Sequence, residues 1–98
     1  MPLRAMSKKI KMTKLNIYCL FDKSGSLYAV YSSIKAAHRD ALKLCNSGLH
    51  TVFIVYNSQR IAPNPTILRN IFKGETDVKI DYFSDTSKIT LLKTSLRE

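Results

Sequence analysis

Apolar residues at Ile34, Ala37, Ala41, Leu44 and Cys45 recur at i, i+3, i+7, i+10 and i+11, a spacing that gathers onto one side of a helix. Such a stripe needs a partner layer, and runs with strand periodicity flank it on both sides. Ser32 or Ser33 can cap the helix, because a serine oxygen accepts a first-turn amide. Gly48 offers a left-handed stop, so the helix is expected over about 33–47.

Before it, Leu15, Ile17, Cys19 and Phe21 alternate with Asn16, Tyr18 and Leu20, which reads as a strand with the Ile17 and Cys19 set turned inward. Asp22-Lys23-Ser24-Gly25-Ser26 is a turn cluster, and Leu27–Tyr31 returns as the second strand of a hairpin. After the helix, Thr51–Tyr56 is nearly all β-branched or aromatic and fits a central strand buried on both faces. A polar loop from Asn57 reaches Pro63. Asn64-Pro65 then resembles a helix start, with Ile67, Leu68, Ile71 and Phe72 as the apolar face and Gly74 as the stop. Val78, Ile80 and Tyr82 alternate with Asp77, Lys79 and Asp81. A last strand spans Lys88 to Lys93. The expected class is α+β in the order β-β-α-β-α-β-β, a mostly antiparallel sheet of about five strands with helices on one face.

The chain has 98 residues, enough for one domain, here expected over residues 14–98. Residues 1–13, with Arg4, Lys8, Lys9 and Lys11 and no acid, read as a flexible basic arm, and Met12 is open as a second start. No apolar core of a secretory signal stands there, and no run approaches the roughly 20 apolar residues of a membrane span. A cytoplasmic setting follows, with Cys19 and Cys45 as reduced thiols at inward positions. Ala41 and Leu44 are expected to pack with Val52, Ile54 and Ile17.

Several chemistries find no support. His38, His50, Cys19 and Cys45 lack the short spacings of a zinc site, and read as core thiols and surface or rim histidines. His50, near the helix exit, has no identifiable catalytic partner. Asp77 and Asp81 share a side of a strand roughly 13 Å apart, too far to share a proton. No glycine loop can cradle phosphates. The expectation is a non-enzymatic protein with no catalytic residues, no metal and no cofactor.

Charge carries more information. Of 16 Lys and Arg against 7 Asp and Glu, giving +9, residues 1–73 hold 12 cations and only Asp22 and Asp40 as acids. On the first helix Lys35, Arg39 and Lys43 form a stripe about 12 Å long at 1.5 Å per residue, enough for two or three phosphates. Arg69 and Lys73 repeat the arrangement on the second helix, with Arg60 in the loop before it. Tyr18 and Tyr28 are candidates for base stacking on the hairpin. A solvated helix face is the plain alternative, although such faces ordinarily mix signs.

The stretch from Tyr18 to Ala37, YCLFDKSGSLYAVYSSIKAA, resembles a form common in small proteins of tailed bacteriophages. There a hairpin ending in a Tyr-Ser-Ser step leads directly into an Ala-rich helix. The resemblance covers about a fifth of the chain. It implies an accessory protein of infection, acting in the host cytoplasm, whose small basic relatives bind nucleic acid or inhibit a host enzyme such as a toxin nuclease. It carries over no site residues.

Two functions follow. The first is nucleic-acid binding, RNA ahead of DNA because no helix-turn-helix spacing is present. The second is inhibition or adaptation of a nuclease or other host protein with an acidic surface, through the same basic face. A homodimer through an edge strand is a further expectation, with the last strand, bearing Lys88 and Lys93, as the candidate edge.

Overall fold

The computed structural model describes residues 15–45, 52–74, 76–85 and 87–96. The basic arm, the Gly48 stop and His50 lie outside the described residues. The elements are β1 (Leu15–Phe21), β2 (Leu27–Tyr31), α1 (Ile34–Cys45), β3 (Phe53–Tyr56), β4 (Gln59–Ile61), α2 (Pro65–Ile71), β5 (Val78–Phe83) and β6 (Lys88–Leu96). The strands form one antiparallel sheet in the order β2-β1-β6-β5-β3-β4. The α+β class and the two helices are as expected. The sheet has six described strands rather than about five.

Local chemistry sets most boundaries. Asp22 closes the first turn by accepting from the Ser24 and Ser26 amides at 3.0 and 3.1 Å. Gly25 there takes φ +87°, a region L side chains avoid. These bonds, the Ser24 hydroxyl first among them, hold the Asp22 carboxyl below the usual carboxylate range. Ser33 caps α1, its Oγ accepting from the Ala36 amide at 3.1 Å. Asn64 caps α2, accepting from the Ile67 amide at 2.9 Å, and Pro65 fills the first helical position.

The extra strand is β4. Asn57 and Ser58 both adopt positive φ, 54° and 64°, and so make a tight two-residue turn that folds Gln59–Ile61 back onto β3. This corrects the polar loop expected there, and it also overturns β3 as a strand buried on both faces. Only β4 lies beyond β3 in the sheet. Ile54 is fully buried, whereas Val55 is 45% exposed.

The core lies between the helices and one sheet face. Ala37, Ala41, Cys45, Leu68, Ile71 and Phe72 come from the helical layer. Tyr18, Leu20, Ile54, Ile80, Tyr82, Ile89 and Leu91 come from the strands. Leu44 and Val52 pack partly against this cluster. The face of β1 is therefore the reverse of the expected one. Tyr18 and Leu20 point to the helices, while Ile17 and Cys19 lie on the far face, where Cys19 is level with Leu92 and Val30. No described helix covers that far face.

The last strand is no edge. β6 lies between β1 and β5, and Lys93, expected on an edge strand, is 1% exposed. Its position follows Ile89 and Leu91 at period two on the helix side. The ammonium is retained there by donating to the Gly74 carbonyl at 2.9 Å. His38 is likewise buried rather than at the surface, its Nδ1 2.8 Å from the Tyr82 hydroxyl.

Candidate nucleic-acid interface

Lys35 stands in the first turn of α1, Arg69 in the last turn of α2, and Lys73 just past its C-cap, Phe72. Packing of the two helices on one sheet face brings these three cations to a single cleft of about 430 Å³. Tyr18 and Phe72, with ring centroids 5.8 Å apart, form its floor, and Asn16 of β1 borders it. Among the described residues, no acidic side chain lines it. The α1 N-terminus, with its Ser33 cap, opens into the same space and adds the positive end of the helix dipole. Lys35 opposes that dipole, a local cost of about 0.3–1 kcal/mol that concentrates positive potential at the cleft.

The rest of the expected stripe is differently engaged. Asp40 Oδ1 is 3.3 Å from Arg39 Nε and 4.0 Å from Lys43 Nζ. Asp40 Oδ2 accepts from the Tyr31 hydroxyl at 2.7 Å. The Tyr31 bond, followed by the Arg39 bond and the two cations, holds the Asp40 carboxyl below its ordinary range. Burial, and then the neighbouring carboxylate, push Tyr31 up to about 12. Arg39 and Lys43 are still exposed, but a carboxylate sits between them. Their pull on an external anion is correspondingly reduced.

Arg60 does not join the group. It lies on β4 with its guanidinium carbon 4.6 Å from the Phe53 ring centroid, and Phe53 stacks on Phe83 at 5.3 Å. The cleft beside it, about 400 Å³, includes Asp85 in its lining. The stacking expectation also divides. Tyr28 is 53% exposed on β2, but Tyr18 is buried on the helix side and serves as floor, so the two cannot form one platform. Asn16 and Lys93 were not anticipated. Lys93 reaches the cleft indirectly, through the carbonyl of its lining residue Gly74. Its signal was the period-two placement with Ile89 and Leu91.

Among the described residues, no cluster of three His, Cys, Asp or Glu side chains could hold a metal ion. Asp77 and Asp81 each accept from a threonine on β6, Thr94 at 3.0 Å and Thr90 at 2.7 Å. Neither described helix is long and apolar enough to cross a membrane. No family model, no curated protein and no solved structure matches the chain.

Proposed function

We propose that the protein is a non-enzymatic nucleic-acid-binding accessory protein that holds backbone phosphates in the cleft between α1 and α2. One observation carries this: Lys35 on α1, Arg69 on α2 and Lys73 just past it line a single cleft with no acid among its described lining residues. Cations so placed act on phosphates and carry little sequence information. RNA is favoured over duplex DNA, because both described helices pack on the sheet and neither stands free to enter a major groove. Action in the cytoplasm of an infected bacterium is part of the proposal and rests on the resemblance of residues 18–37 alone.

The test is a salt titration of binding to unrelated single-stranded RNAs, with duplex DNA alongside. Neutralising Lys35, Arg69 and Lys73 to Gln should weaken binding alike for every RNA. The log–log salt slope should become shallower by about two, at roughly 0.7 per single-strand contact. Neutralising Arg39 and Lys43 should change the slope less, since Asp40 lies between them. An unchanged slope in the triple variant would remove the cleft from nucleic-acid binding. The same basic face would then be assigned to an acidic protein surface.

A further inference from the structure

β1 and β2, LNIYCLF and LYAVY, contain no charged residue, in a chain of which 23% is charged. β2 is an outer strand of the described sheet, and Leu27, Tyr28 and Val30 on it are each more than half exposed. Edge strands are ordinarily protected from pairing by charge, proline, shortness or a covering element. The opposite edge follows that rule: β4 is three residues long and carries exposed Arg60. β2 has no charge, no proline and no cover among the described residues. The irregularity in its pairing with β1 falls at the turn end, between Leu20 and Phe21. Ala29–Tyr31 is left in regular register.

Charge also limits what can add to this edge. A chain of net +9 repels its own copies over most approaches, within the roughly 8 Å screening length of physiological salt. The uncharged strands of the hairpin offer a surface on which two copies meet without bringing cations face to face. We propose that β2 pairs antiparallel with β2 of a second copy, centred on Val30. Val30 then meets Val30, and small Ala29 meets bulky Tyr31, across a two-fold axis perpendicular to the sheet. That axis joins two six-stranded sheets and leaves the helices of both copies on the same side. Both cationic clefts consequently face one way. The dimer stands independently of the proposed nucleic-acid binding; only the value of paired clefts depends on it.

Molar mass by light scattering across a wide concentration range tests the pairing. The wild-type chain should approach twice its 11.1 kDa mass as concentration rises. Val30→Lys and Val30→Glu each place like charges opposite one another and should be monomeric, with circular dichroism and melting temperature close to wild type because Val30 is 51% exposed. Mixing V30K with V30E should restore a dimer that weakens with salt. Gln59→Glu on the far edge should leave the wild-type dimer intact. A wild-type chain that stays monomeric throughout, a V30K variant that stays dimeric, or a V30K and V30E mixture that stays monomeric would each overturn the proposal. RNA binding tested on the V30K monomer separates the two ideas, since the cleft is unaltered in it.

Discussion

His38 Nδ1 lies 2.8 Å from the Tyr82 hydroxyl, joining the middle of α1 to β5 inside the core. Burial holds the His38 pKa below its ordinary value, so the folded state favours the neutral ring. The unfolded chain takes up the proton more readily. Stability is therefore full above the ordinary histidine pKa of about 6.5 and declines as pH falls through and below it. Melting temperatures between pH 7.5 and 5 should show this decline, and His38→Leu should flatten it. Tyr82→Phe, which strips the ring nitrogen of its partner, should cost about 1–3 kcal/mol at neutral pH.

The orientation of β1 makes a sharp comparison. Leu20 is fully buried under the helices, whereas Ile17 lies on the far face. Leu20→Ala should cost about 2–5 kcal/mol by chemical denaturation, in the range for a core truncation. Ile17→Ala should cost distinctly less. The reverse order would mean that β1 is turned over.

The two thiols should differ in the same sense. Burial pushes both Cys19 and Cys45 up from the ordinary thiol range, and Cys45 is fully buried while Cys19 is partly exposed on the far face. A thiol reagent should label Cys19 in the native protein, faster as pH rises, and Cys45 only as the protein unfolds. Equal rates would contradict the assigned faces.

Lys93 offers a test of the opposite sign. Its side chain is buried and donates to the Gly74 carbonyl, which is itself on an exposed residue. Lys93→Met keeps the stem and removes the buried charge. It should leave stability unchanged or raise it by about 1 kcal/mol, as replacements of buried ionic groups by apolar ones commonly do. A loss of several kcal/mol would show that the bond to Gly74 is a structural requirement.

The helices were legible because their apolar stripes are flanked by polar residues, so periodicity names both the element and its buried side. The caps at Ser33 and Asn64 were legible for the same local reason. β1 was legible as a strand but not by face. Both alternating sets, Ile17 with Cys19 and Tyr18 with Leu20, are apolar, and period two cannot choose between them. β4 was hidden because Gln59–Ile61 is short and polar; only the tolerance of Asn57 for positive φ hinted at the turn. Of the site, the cation pairs on each helix were visible. Their convergence at Lys35, Arg69 and Lys73 was not, since it depends on how α1 and α2 cross the sheet. The withdrawal of Arg39 and Lys43 around Asp40 turns on side-chain reach, and Arg60 was displaced by a strand that the sequence concealed.

β6 has a consequence for how the molecule comes into being. It is the last described strand in chain order, yet β1 pairs with it on one side and β5 on the other. Until residues 88–96 have left the ribosome, the β1–β2 hairpin has no strand beside it on its inner side. The pairing of β1 with β6 is thus a contact of long sequence separation that closes only after residues 88–96 have been made. Through that interval the inner edge of the β1–β2 hairpin and one edge of β5 stay unpaired, open strand edges of the kind that invite wrong pairing.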